Sequence, residues 1–129
     1  MLKSITTKQA PQPIGPYSQA IKYGKMVFVS GQIPIEINSN NIKGDIEHQT
    51  TITLKHIKTI IEHSGLKIKD IIKTTIFLTD INQLETVNKV YKNFFIINES
   101  TTFPARSCVQ VSSLPNNAKI EIEVIAMNN

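Results

Sequence analysis

The sequence has one cysteine, Cys108, and no tryptophan among its 129 residues. A single thiol excludes an intrachain disulfide framework and a cysteine-based zinc site. No apolar run exceeds four residues, the length reached at Met26–Val29 and Phe94–Ile97, whereas a membrane helix needs about 20. The opening Met-Leu-Lys-Ser has no basic region leading into an apolar stretch, so no secretory signal is expected. Low-complexity tracts, repeats and linkers are also missing. These absences predict a soluble, cytoplasmic protein with one domain over residues 1–129. Arginine is the last scarcity: of 14 basic side chains, 13 are lysine, and Arg106 stands alone.

What is present is ordinary for a globular chain, with 40% hydrophobic and 19% charged residues. At this length folding buries roughly two-thirds of the unfolded surface, enough for a core without staples. The net charge of +4 raises nucleic acid as a partner. Yet the lysines are scattered, as in Lys22/Lys25, Lys55/Lys58, Lys67/Lys69/Lys73 and Lys89/Lys92, and only Tyr23 and Tyr91 fall between them, too few aromatics for a base-stacking surface. The 22 Ile, 13 Lys and 11 Asn all have codons rich in A and T, so part of the basicity is read as composition bias. A nucleic-acid surface is not expected.

Turn signals at Pro11, Pro13, Gly15 and Pro16 make the first stretch irregular. Strands are predicted over 18–22 and 26–32 with a turn at Tyr23-Gly24-Lys25. A polar loop, 36–45, precedes a helix over 46–64 that Gly65 ends. Ile46, Thr50, Leu54, Ile57 and Ile61 share its apolar face. Residues 71–78 read as a central strand, apolar on both faces. A second helix follows over about 82–98, with Asp80 as a candidate cap. Strands over 106–112 and 119–127, joined by a Pro115-Asn116-Asn117 turn, form a final hairpin. The order β-β-α-β-α-β-β is an α+β domain whose two helices cover one face of a sheet.

A few side chains stand out for chemistry. Arg106 offers a planar fork that grips a carboxylate in two parallel hydrogen bonds, which lysine cannot do; a simple salt bridge is the alternative. Asn88 falls inside the bulky stripe of Leu84, Val87, Tyr91, Phe94 and Phe95. It either bonds to sheet backbone or faces a site. Alternation puts Arg106 and Cys108 on one face of their strand, and Glu121 and Glu123 on one face of the next. A polar sheet face carrying all four is expected, as a cross-strand ion pair or as a site. His48, His56 and His63 lie on the first helix away from its apolar stripe, so they are expected in solvent, and no metal site is expected. Cys108 lacks a histidine to activate it and reads as a wall residue.

The stretches Phe103-Pro-Ala-Arg106-Ser-Cys108-Val-Gln-Val, Leu114-Pro and Lys119-Ile-Glu121-Ile-Glu123-Val-Ile-Ala resemble the C-terminal signature of the RidA (YjgF-like) family, the 2-iminoacid deaminases. Ile14-Gly-Pro-Tyr17-Ser-Gln-Ala, Val29-Ser30-Gly31-Gln32-Ile-Pro, Lys73–Asp80 and Val87-Asn88 extend the resemblance over essentially the whole chain. It implies a chorismate-mutase-like α+β fold and a homotrimer with clefts between subunits. The implied activity is cofactor-free hydrolysis of short 2-imino acids, 2-iminobutanoate and 2-iminopropanoate, to 2-keto acid and ammonia. Arg106 matches the residue that holds the substrate carboxylate, and Glu121 the one that positions water. Tyr17, Ser30, Gly31, Asn88 and Cys108 match cleft-lining positions. Gln110 stands where glutamate is common, and Ser112-Ser113 replaces an often basic pair. Other members have been linked to ribonuclease-like, translation-inhibiting or chaperone-like roles, so an RNA- or protein-binding module is the alternative.

Overall fold

The computed structural model describes residues 1–129. Six strands run β1 (Leu2–Ile5), β2 (Ala20–Tyr23), β3 (Met26–Gln32), β4 (Ile71–Leu78), β5 (Ala105–Gln110) and β6 (Ile120–Met127). Helices α1 (Ile46–His63) and α2 (Leu84–Ile97) separate β3 from β4 and β4 from β5. The strands form one mixed sheet in the order β1-β2-β3-β6-β4-β5, in which only the β4–β5 pair is parallel. This is the expected α+β class. No helix is long and apolar enough to cross a membrane.

Three expectations need correction. β1 lies within the stretch expected to be irregular; it is exposed on three of four residues and pairs only at the sheet edge, so its burial pattern carries little signal. The last two strands are not a hairpin, because β4 inserts between β5 and β6. A parallel β4–β5 pair needs a crossover, which α2 supplies, and β6 then returns to the centre of the sheet. Finally, β4 is central but not equally apolar: Thr74, Ile76 and Leu78 are buried under the helices, while Lys73, Thr75 and Phe77 are half-exposed on the other face.

The helix assignments hold. Asp45 caps α1 through its carboxylate, which accepts from the His48 N–H at 2.9 Å, and Gly65 beyond the last turn sits at φ +93°. Asp80 accepts from Asn82 N–H at 3.0 Å and starts a short 3-10 turn, Ile81–Gln83, that leads into α2. α1 packs against β3, β6 and α2. Its Leu54, Ile57, Ile60 and Ile61 meet Ile76, Leu78, Ile120, Ile122 and Val124 in one core. Each of these aliphatic side chains contributes about 1.5–3 kcal/mol by leaving water. The opposite sheet face has no such cover, and Phe28, Val109 and Met127 remain 42–47% exposed there.

One of the three histidines also departs from expectation. His56 is only 3% exposed, and its Nε2 lies 2.7 Å from the Ile35 carbonyl oxygen. A carbonyl only accepts, so Nε2 carries the proton. Burial lowers the pKa of His56 below its ordinary value, more than the carbonyl bond raises it. The loop before α1 folds back over this side of the helix, which the period of α1 alone does not reveal. His48 Nε2 contacts the Glu36 carboxylate at 2.8 Å with its side chain 41% exposed, and His63 is exposed. No cluster of three metal-ligating side chains exists.

Candidate active site

Parallel register pairs Thr74 with Arg106, Ile76 with Cys108 and Leu78 with Gln110. Residues paired across strands share a face, so Arg106 and Cys108 project to the helix-covered side, at the sheet edge formed by β5. On β6 the same side holds Ile120, Ile122 and Val124, while Glu121 and Glu123 pair with Phe77 and Thr75 on the open side. Arg106 and Glu121 therefore lie on opposite faces of one sheet. The expected shared face is wrong because it assumed a hairpin: the inserted β4 sets the two registers independently.

On the helix side, α2 brings Asn88 and Tyr91 to Arg106. The Arg106 Nη1 donates to Asn88 Oδ1 at 2.8 Å, so the amide inside the apolar stripe does face a side chain and not sheet backbone. The guanidinium carbon sits 4.9 Å from the centre of the Tyr91 ring, within cation–π range. No carboxylate pairs with Arg106, and the only close pairing of a basic and an acidic side chain is His48–Glu36. A cleft of about 290 Å³ opens beside the guanidinium, lined by Asn88, Tyr91, Lys92, Phe103, Pro104 and Arg106. Cys108 is half-buried and packs on the core. Burial raises its pKa, and nearby Arg106 offsets this only in part, so the thiol is a poor nucleophile.

On the open side, Tyr17, Ser30, Gly31, Ile33, Pro115, Glu121 and Glu123 line a cleft of about 450 Å³. The pairing of β3 with β6 shifts between Val29 and Gln32, and this irregularity places Ser30 and Gly31 beside Glu121. A Cβ on Gly31 would collide with the Glu121 carboxylate, 2.8 Å from its Cδ and 3.1 Å from its Cγ. Glycine is needed there to make room for the neighbouring Glu121 side chain. The Ser30 hydroxyl donates to the Ser18 carbonyl at 2.6 Å, which ties the Tyr17 loop to β3. Burial, and then the nearby charge of Glu123, raise the pKa of Glu121 above the ordinary carboxylate value.

Two supporting residues escaped sequence reasoning. Gln19 is buried and holds the proline-rich segment: its Oε1 accepts from Thr7 N–H at 2.8 Å, and its Nε2 donates to the Pro11 carbonyl at 2.8 Å. Tyr91 belongs to the apolar stripe of α2, yet its hydroxyl is the one polar group there besides Asn88. Gln110 departs from the family pattern but has a structural partner, since its Oε1 accepts from Ile81 N–H at 2.8 Å and joins β5 to the turn before α2.

A mixed six-stranded sheet with two helices over one face and a lone, unpaired arginine at its edge defines a specific α+β class. The chain belongs to the family described as Endoribonuclease L-PSP, the RidA/YjgF family, whose model matches residues 7–128. It is 53% identical over 122 residues to a RutC family protein of Buchnera aphidicola from Acyrthosiphon pisum, covering 95% of this chain and 94% of the relative. It is 47% identical over 127 residues to the 2-iminobutanoate/2-iminopropanoate deaminase of Salmonella typhimurium, covering 98% of each. Among solved structures, E. coli TdcF with bound serine superposes with a TM-score of 0.95 at 46% identity, over 98% of this chain and 99% of that one.

Proposed function

We propose that the protein hydrolyses short 2-imino acids, such as 2-iminobutanoate and 2-iminopropanoate, to 2-keto acid and ammonia. The observation that carries this reading is Arg106: the only arginine, unpaired by any carboxylate, with one edge held by Asn88 and a cleft beside it. A fork in that state is suited to a carboxylate, whose two oxygens would fix the orientation of C2. Glu121, with its raised pKa, suits a general base near neutral pH. Water oxygen would bond to C2 of the protonated imine as Glu121 takes a water proton, giving a neutral tetrahedral carbinolamine. Glu121 then gives that proton to nitrogen and takes the carbinolamine hydroxyl proton as the C–N bond breaks, releasing keto acid and ammonia, which carries the last proton away. Imines hydrolyse unaided, so orientation and one poised water are sufficient assistance.

One chain cannot bring Arg106 and Glu121 to the same substrate, because the sheet separates them. The half-exposed Phe28, Val109 and Met127 on the open face favour burial against another copy. We therefore read the working unit as the homotrimer that the family resemblance implies, with Arg106 of one subunit facing Glu121 of the next. The test couples a threonine dehydratase to keto-acid formation with and without the protein, alongside light scattering. Acceleration by a particle of about three times 14.5 kDa supports the reading. No acceleration, or acceleration by a monomer, removes it.

A further inference from the structure

We propose that Tyr91 is a positioning residue that sets the plane of the Arg106 guanidinium for the substrate carboxylate, and that Thr74 sets Tyr91. This rests on the reading of Arg106 as the carboxylate clamp. A guanidinium that binds a carboxylate through two parallel bonds must lie in the carboxylate plane, so rotation about its last torsions is costly to affinity. Asn88 holds Nη1 but leaves rotation about that one bond free. The Tyr91 ring restricts this freedom, because the guanidinium carbon lies over it, 4.9 Å from the ring centre.

Tyr91 is itself held from two directions. It is 5% exposed, and its hydroxyl oxygen lies 2.8 Å from Oγ1 of Thr74, which is fully buried. The Phe95 ring packs on it with centroids 4.8 Å apart. Thr74 is also the strand partner of Arg106 in the β4–β5 register. One tyrosine thus bridges neighbouring residues of two paired strands: its hydroxyl reaches the first, and its ring supports the second. Asn88 and Tyr91, three apart on α2, share a helix face and reach Arg106 together. Burial raises the pKa of Tyr91, so the phenol stays protonated and can bond Thr74 across the working pH range.

The experiment measures KM and kcat for imine hydrolysis, the Kd of 2-ketobutanoate as product probe, and melting temperature for each variant. Tyr91→Leu removes the ring and should raise KM and Kd about fivefold, with a smaller change in kcat. Tyr91→Phe keeps the ring and should stay within about twofold of wild type. Thr74→Val should cost about threefold by orphaning the phenol, and adding Tyr91→Phe to it should bring part of that back. The decisive arm is Arg106→Lys: an ammonium has no plane, so Tyr91→Leu should then change KM by less than about twofold. Loss of the same size in both backgrounds, or loss that merely follows melting temperature, overturns the proposal. Tyr91→Leu with wild-type KM and Kd overturns it too, leaving the clamp intact. An Arg106→Lys variant that binds 2-ketobutanoate like wild type removes the clamp itself, and this inference with it.

Discussion

The Arg106 cleft and the Glu121 cleft lie on opposite faces of one sheet and are built on different principles. Arg106 is held from outside its strand: an amide and a ring from α2 fix it, and its charge is left without a counter-ion. Glu121 is held by the strand pair beneath it, where the break in β3–β6 pairing and a missing Cβ at Gly31 make room for its carboxylate. The first arrangement fixes geometry and leaves charge available for a ligand. The second adjusts a proton affinity, since burial and Glu123 both disfavour the charged form. A binding group and a base need those different treatments.

Mixing subunits puts the largest effect on this comparison. Arg106→Ala and Glu121→Gln proteins should each lose at least about 100-fold in kcat/KM, whereas trimers reassembled from an equal mixture should regain about a quarter of wild-type activity by random assortment. No recovery would mean that each chain completes its own site, against the sheet geometry. Within the Arg106 cleft, Arg106→Lys should reduce kcat/KM about tenfold or more, because a point charge cannot reproduce the fork. A steady-state comparison of both variants at saturating and limiting substrate separates the roles, with Glu121→Gln acting mainly on kcat.

Gly31→Ala sharpens the other side. No left-handed backbone is required at Gly31, so the fold should survive, but the added methyl must displace the Glu121 carboxylate. Activity should fall about tenfold, and the rise of rate with pH should move toward ordinary carboxylate values as Glu121 gains solvent. Cys108→Ala, beside Arg106 but with its thiol kept protonated, should cost no more than about threefold in kcat/KM. A covalent adduct at that sulfur during turnover, found by mass spectrometry, would overturn this role.

The smallest effect lies away from both clefts. His56 has a folded pKa below its ordinary 6.5, so it contributes stability above pH 6.5 and loses it as pH falls through the lowered value. Melting temperature should therefore drop on acidification below pH 6.5, and His56→Gln should flatten that part of the profile. For Glu121 the sign is reversed. Its folded pKa is raised, so its ionisation weakens the fold as pH rises through that value, and Glu121→Gln should be the more stable protein at neutral pH.

Both helices, the buried face of β6 and the stop at Gly65 were legible because each rests on a local period or a local backbone need, while Asp80 caps the 3-10 turn that leads into α2 and not α2 itself. Arg106 was legible as a singular residue, and Asn88 as a polar group in an apolar stripe, because scarcity and misplacement are visible in one dimension. Their 2.8 Å contact was not, since it joins positions 18 apart through a strand order that no local pattern encodes. The same limit applied to His56, whose partner Ile35 is 21 residues away on a loop. By itself the sequence determined both helices, five of the six strands, the apolar faces of α1, α2 and β6, and the chemical identity of the candidate groups, all of which follow from residue type and spacing. Only the tertiary structure decided which groups meet. Placing β4 between β5 and β6 assigns Arg106 and Glu121 to opposite faces, and in a sheet the face of every side chain is set by strand order and register.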